Sequence, residues 1–309
     1  MIGHNIGVWE NVGLIFQPKM ENSWWYSHAM APTAILLNPD TVRIYLGCWD
    51  EEKISRIGFI DVSAKKPSNI LGISKRCVLD TGSNGCFDDN GVFPGHAYIH
   101  NSKIYLYYTG FQKLSKIPFS NFCGLAISHD GGENFSRVSK APVMDRSDEG
   151  LFTRAGNSVL YENGEFVCCY ASGSDWCYIS GKSRPVYEVR ITKSRDGINF
   201  NKVGRVIIPV DRKNEHGLGR PQLTKIGNAY YVFYTRRTLD FSKYHMGVAY
   251  SYDLNSWTRI DGWLSTIPHY GFASEMVYFP SFIDTKWGKY LFYVGNGFGS
   301  GGLGYAKLT

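Results

Sequence analysis

One strand pattern, aromatic and β-branched, occurs five times along the 309-residue chain. It reads IYLGCWD from residue 44, IYLYYTG from 104, FVCCYAS from 166, YYVFYTR from 230 and YLFYVGN from 290, so successive starts lie 60, 62, 64 and 60 residues apart. A second strand follows each copy: IGFIDVS, CGLAISH, EVRITKS, MGVAYSY and LGYAKLT. A third precedes each, opened by Pro32, Pro94, Pro221 or Pro280, with AGNSVLY from residue 155 in the slot of the third copy. A period near 60 residues with at least three strands per unit fits radial repetition of small sheets rather than a solenoid.

A fourth strand follows in the middle copies. SHDGGENFSRV, SRDGINFNKV and SYDLNSWTRI each place a turn before an aromatic and then a basic residue. Asp-Gly supplies a turn that needs positive φ, so Asp130 and Asp196 read as turn formers. The same signature stands out of place at the start of the chain, in VWENVGLIFQP (8–18), while the chain ends at Thr309 just after a third strand. The expectation is an all-β, five-bladed β-propeller, a single domain over residues 1–309. Residues 6 to 18 would be the N-terminal strand closing the last blade and leaving no long open edge.

Composition narrows the partners. Hydrophobic residues at 43% and aromatics at 15% supply a core and exclude disorder. The net charge of +6 is scattered without a basic run, so no nucleic acid is expected. No apolar stretch approaches the length of a membrane span. The opening MIGHNIGVWENVGLIF has neither the basic region nor the continuous apolar run of a signal peptide. Seven cysteines with no CxxC pair read as reduced, buried thiols of a cytoplasmic protein, with no metal site and no cofactor. The glycine-rich GNGFGSGGLGYA lies between two strands with no helix to follow, which removes the context of a dinucleotide loop.

In a propeller the innermost strands line the axis, and the loops leading into them form one mouth. Carboxylates recur on those loops. Asp88 and Asp89 stand six and five residues before Pro94, Glu215 six before Pro221, Glu275 five before Pro280 and Glu149 seven before Gly156. The first copy offers Trp24, Trp25, Tyr26 and His28 instead. Cations recur nearby in Arg154, Arg220, Arg236 and Arg237, with His96 and His216 at or near inner strands. Carboxylates move protons or bind hydroxyls, aromatic faces stack on sugar rings, and arginine grips an anion through two donors. This predicts a carbohydrate or sugar-phosphate site whose anionic substrate would be phosphate or a nucleotide sugar. Asp88, Asp89 and Glu275 are the catalytic candidates. Trp24, Trp25, His28, His96, Glu149, Arg154, Glu215, His216, Arg220 and Arg236 are the substrate contacts. Each has a plainer reading: the acids as loop residues, the arginines as ion-pair partners, Trp24 and Trp25 as core caps, and His28 as a structural histidine.

The repeat, together with FDDNGVFPG, GRPQ, SEMVYFPSF and GNGFGSGGLGYA, resembles the five-bladed propeller carbohydrate-active enzymes. These are glycoside hydrolase families 32, 43, 62 and 68 and the mannoside phosphorylases of family 130. The closest likeness is to propellers that accompany surface-polysaccharide biosynthesis. The resemblance implies an axial pocket in which carboxylates act as acid and base on a glycosidic bond, to cleave or transfer a glycosyl group. Two positions depart from the hydrolase pattern: Ala31 stands before Pro32 where those enzymes carry Asp, and Gly219 stands in GRP where they carry the acid Glu. The phosphorylase-like members use bound phosphate, which arginine and histidine suit. The other reading is a non-catalytic sugar-binding or scaffold propeller within polysaccharide biosynthesis, which needs stacking and hydrogen bonds but no tuned acid.

Overall fold

The computed structural model describes residues 7–20, 24–240, 244–267 and 269–309. Residue 6 of the expected closing strand lies outside the described residues. The described chain is nearly all β. β1 (Trp9–Phe16) pairs with none of the strands that follow it directly. Next come four antiparallel runs of four strands. They are β2 (Ser27–Asn38) to β3 (Thr41–Trp49), β4 (Ser55–Ser63) and β5 (Ile70–Ile73); then β6 (Val92–His100), β7 (Lys103–Lys113), β8 (Phe119–Ser128) and β9 (Ser136–Arg137). The third is β10 (Thr153–Glu162), β11 (Glu165–Ile179), β12 (Lys182–Ser194) and β13 (Arg205–Ile208). The fourth is β14 (Glu215–Ile226), β15 (Ala229–Thr238), β16 (Tyr244–Ser251) and β17 (Thr258–Arg259). β18 (Tyr278–Thr285), β19 (Gly288–Val294) and β20 (Leu303–Leu308) complete the order, and β1 adds to the free edge of β20.

That last pairing is antiparallel and sets Trp9 opposite Leu308, Glu10 opposite Lys307 and Phe16 opposite Leu303. It has a physical driver at both ends. Trp9 is buried with its ring 5.4 Å from Trp263 and edge-on to Phe282 at 6.3 Å, and Phe16 is buried against Trp25. The intervening side chains alternate between exposed and half-buried, as a strand covered on one face must.

The cores lie between successive runs, where apolar faces of neighbouring sheets meet. Ile57 and Phe59 pack with Leu106 and Phe122; Leu125 and Met144 with Val159 and Cys168; Val167 and Val189 with Leu218 and Val232. Phe233 and Val248 pack with Phe282 and Leu291, and Phe292 and Leu303 return against Leu46 and Val62 of the first run. The aromatic, β-branched pattern of the repeat is therefore what two covered faces demand.

β2, β6, β10, β14 and β18 lie side by side in that order, and β18 is also next to β2. Each carries a register irregularity at the same height: between Met30 and Thr33, Pro94 and His96, Ala155 and Ser158, Gly219 and Gln222, and Tyr278 and Ser281. At these bulges Ala31, Gly156, Arg220 and Phe279 take left-handed backbone, φ 50°, 67°, 45° and 56°. Glycine is needed at 156 for a second reason, since a Cβ there would come within 2.9 Å of the Arg220 Cα. The glycine-rich stretch near the C-terminus forms a single tight turn, Asn296–Gly299, with no dinucleotide-loop helix after it.

Candidate functional site

Arg220 occupies the convergence of the inner strands. Its guanidinium donates to the carbonyls of Ala31 (3.0 Å), Pro32 and Pro280 (3.1 Å), and to the Thr33 hydroxyl at 2.6 Å. No carboxylate reaches it among the described residues. Burial draws its pKa down to about 9, while the ring of carbonyl dipoles still favours the cation. Arg220 thus works as an axial tie among strands, which the sequence placed nearer to a ligand contact.

Above it, at the N-terminal ends of the inner strands, lies a cavity of about 290 Å³. Its walls are mainly aromatic: Trp49, Phe93, Phe111, Phe119, Tyr187 and Phe279, with Phe298 from the glycine-rich turn. Its polar groups include Thr109, Asn121, Thr153, Arg220 and Arg237, and no carboxylate lines it among the described residues. The mouth lies where the sequence put it, but its walls do not come from the tryptophan pair. Trp24 is buried, donates to the Ser74 carbonyl at 3.2 Å and sits where any side chain at Gly58 would stand. Trp25 packs on Phe16 and Trp24. Both cap a core. His28 lies at the edge, its ring centroid 3.9 Å from that of Trp49, and burial lowers its pKa despite the Gly297 carbonyl.

Arg237 is the cavity's distinctive group. Its guanidinium stands 4.9 Å from the Tyr187 ring centroid and 5.3 Å from that of Tyr244, held between two aromatic faces. Its buried Nε makes no hydrogen bond. Burial opposes its charge, but the hydroxyls of Tyr187, Tyr244 and Tyr278 outweigh that and raise its pKa. The sequence offers Arg237 with Arg154, Arg220 and Arg236 as a cation for an anionic ligand, and of the adjacent pair it counts Arg236 as the substrate contact. The signal that separates them is strand alternation, which sends adjacent side chains to opposite faces.

The recurring carboxylates have a different geometry from the one expected. Asp88 is fully buried and accepts from the Tyr108 hydroxyl (3.1 Å) and Arg137 Nε (2.8 Å). Glu149 accepts from the Tyr170 hydroxyl (2.5 Å), Arg190 (3.0 Å) and the Gly204 amide, with Arg154 Nε at 3.2 Å. Glu215 takes Arg236 Nε at 2.6 Å and both terminal nitrogens of Arg259 at 3.1 and 2.7 Å. Burial raises the Glu215 pKa, and the two arginines more than offset it, leaving it lowered. Next to this pair Tyr234 donates to Asp261, which also binds Arg259. Tyr108, Tyr170 and Tyr234 are the same position of the three middle repeats. Each donates to an acid, Asp88, Glu149 or Asp261, that also pairs with an arginine, so in these repeats the acid serves as a brace. Arg154 and Arg236 are spent in these braces.

Asp89 closes a turn, accepting from the Gly85 amide at 2.8 Å. Glu275 is exposed, on a loop whose backbone donates to Asn296 Oδ1 at 2.8 Å. Asp88, Asp89 and Glu275 are thus not brought together on the cavity wall. His216 is buried with Nδ1 at 3.0 Å from the Pro185 carbonyl, and His96 lies on the far side of Arg220, near Ser158. Among the described residues no group of three or more metal-ligating side chains occurs, and no helix is long and apolar enough to cross a membrane.

No protein-family model matches the chain. It is 30% identical over 302 residues to the uncharacterized protein Rv1502 of Mycobacterium tuberculosis, covering 97% of this chain and 99% of that protein. The chain belongs to the Rv1502 family. Over 138 residues, 40% of this chain and 44% of the relative, it is 29% identical to the beta-1,2-mannobiose phosphorylase of a Thermoanaerobacter species. Among solved structures it is similar to a glycosyl hydrolase from Bacteroides ovatus, with TM-score 0.70, 15% identity and 98% and 94% of the two chains covered. A structure from the GH130 family of mannoside phosphorylases, described as containing glycoside hydrolases that target beta-1,2 mannosidic linkages in Candida mannan, gives TM-score 0.70 at 14% identity, with 99% and 95% covered. The fold shared by the Rv1502 family member described here is that of glycoside hydrolase β-propellers.

Proposed function

We propose that the chain is a carbohydrate-active, five-bladed propeller, one domain over residues 1–309 closed by β1, whose axial cavity binds a saccharide together with an oxyanion. The anion is either inorganic phosphate beside a neutral glycoside or the phosphate of a phosphorylated sugar. The observation that carries this reading is Arg237, a cation set in an aromatic-walled cavity without a carboxylate partner among the described residues. A partly desolvated guanidinium left unpaired is costly, and an oxyanion relieves that cost through charge-assisted hydrogen bonds. The flat rings of Trp49, Phe93 and Phe279 suit the apolar faces of a sugar. The partial likeness to a mannobiose phosphorylase supports phosphate as the anion.

Cleavage or transfer of a glycosyl group needs a proton carrier as well. Of the three catalytic candidates, Glu275 is exposed outside the cavity lining, beside the turn that carries Phe298, and has no ion pair among the described residues, so it is the residue we assign to this role. In the phosphorolytic version a phosphate oxygen bonds to the anomeric carbon, the glycosidic C–O bond breaks, and the Glu275 proton goes to the departing oxygen. The second reading, sugar binding without turnover, is favoured by the burial of Asp88, Glu149 and Glu215 in ion pairs. Calorimetric titration of phosphate, mannose 1-phosphate and β-1,2-mannobiose into the wild type and Arg237→Ala tests the site. Loss of phosphate binding in the variant is expected, and binding of none of the three overturns the proposal. Release of mannose 1-phosphate from mannobiose and phosphate, abolished in Glu275→Gln, separates catalysis from binding.

A further inference from the structure

Downstream of their bulges, the inner strands line a second cavity of about 410 Å³. Its walls include Ala34, Val159, Leu223 and Phe282, each beyond the left-handed residue of its strand or its equivalent, so Arg220 separates it from the axial mouth. We propose that this far cavity is a second binding site, for a neutral saccharide. The proposal goes beyond the anion-binding mouth and uses none of its residues.

Three features point to that ligand class. The rim exposes one aromatic face, Tyr161, which is 62% exposed with its ring centroid 4.9 Å from Phe166. Phe166 and Tyr98, 6.4 Å apart, pack against the core and form the floor beside it. Tyr98 is itself braced flat against Tyr105 at 4.9 Å and 7°, which fixes its orientation. The lining itself contains no Lys or Arg, in contrast to the mouth with Arg237, and Lys289 beside it stands 3.7 Å from the Asp284 carboxylate, which offsets its charge. The polar groups that remain are hydroxyl binders: the Asp284 carboxylate, Thr224, and His96, whose Nδ1 meets the Ser158 hydroxyl at 3.3 Å. The Gln222 amide is not among them, being used on both ends by the backbone of Phe282. Aromatic faces rimmed by acceptors and donors, with no cation in the lining, match a polyhydroxylated uncharged ring.

The test titrates cellopentaose, maltopentaose and mannopentaose into the wild type, Tyr161→Ala and Arg237→Ala, with and without saturating mannose 1-phosphate. At least one pentasaccharide is expected to bind. Tyr161→Ala should weaken it at least about tenfold, as loss of an aromatic anchor does. Arg237→Ala and mannose 1-phosphate should leave it unchanged. The mouth can fail to bind any anion without affecting this result. Binding of no pentasaccharide at millimolar concentration overturns the second site, as does binding that is lost in Arg237→Ala or displaced by the sugar phosphate. Retention of full affinity in Tyr161→Ala overturns it as well.

Discussion

Arg137 donates from Nε to Oδ2 of Asp88 across 2.8 Å, and the Tyr108 hydroxyl reaches the same oxygen from another strand. The carboxylate is enclosed, so its charge is tolerable only with both partners in place. Asp88→Asn keeps the shape and removes the charge. We expect a loss of about 2 kcal/mol, below the usual cost of breaking a buried pair because the Arg137 side chain is 22% exposed. Phosphate affinity should not change. Chemical denaturation and titration of the same variant check both halves, and a stable variant with impaired ligand binding would return Asp88 to the site.

Ring closure is tested by removing residues 1–18. Two buried aromatic side chains, Trp9 and Phe16, leave with β1, and the unpaired edge of β20 is uncovered. Burial of such a side chain contributes roughly 1.5–3 kcal/mol, and a bare strand edge invites pairing with other chains. The truncated chain should melt far lower or elute as aggregate in size-exclusion chromatography. An unchanged melting temperature with a monomeric profile would mean that β1 is dispensable.

The strand order was legible because its signals are local and repeated: aromatic strands spaced by 60 to 64 residues and Asp-Gly turns. The location of the mouth followed from that order. The chemistry did not, because recurrence does not say why a residue recurs. Glu149 looked like a ligand by position, but the Tyr170 and Arg190 that absorb it lie on two later strands, 21 and 41 residues away. The cavity aromatics were equally hidden. Trp49 and Phe119 lie in strands β3 and β8, and although a proline or Gly156 stands at every inner-strand bulge, the sequence does not say which side chains meet across the strands there. Trp24 and Trp25 were the conspicuous aromatics, and large rings are conspicuous in cores as well.

Two histidines predict a pH dependence of stability. Burial pushes His96 down to about 4, helped by the nearby Arg220 charge, and His216 down to about 4, against the pull of the Pro185 carbonyl. Both folded pKa values lie below the unfolded value near 6.5, so between about pH 6.5 and 4 the unfolded chain holds more protons. Stability therefore falls as pH is lowered through that window, with each histidine adding a slope of up to about 1.4 kcal/mol per pH unit. His96→Gln should reduce the slope by a fraction of a proton near pH 7, rising toward about one proton near pH 5. Denaturation series at pH 7, 6 and 5 measure it, and an identical slope in wild type and variant would discard the assignment.

Phe279 holds a left-handed backbone, φ 56°, directly before Pro280, with its amide donating to the Thr235 hydroxyl at 2.9 Å and its ring on the cavity wall. A side chain in that conformation costs on the order of 1 kcal/mol, which glycine does not incur. Elsewhere in a strand alanine outlasts glycine, because glycine loses more backbone freedom on folding. Here the order should invert. Both Phe279→Ala and Phe279→Gly lose the ring, but only the alanine variant keeps the strain, so the glycine variant should be the more stable by about 1 kcal/mol. Both should lose mannose 1-phosphate affinity alike, since the wall is missing in each. Paired denaturation midpoints decide the matter. An alanine variant as stable as the glycine variant would show that the backbone at 279 relaxes freely, and the strained turn would then have no part in holding the cavity wall.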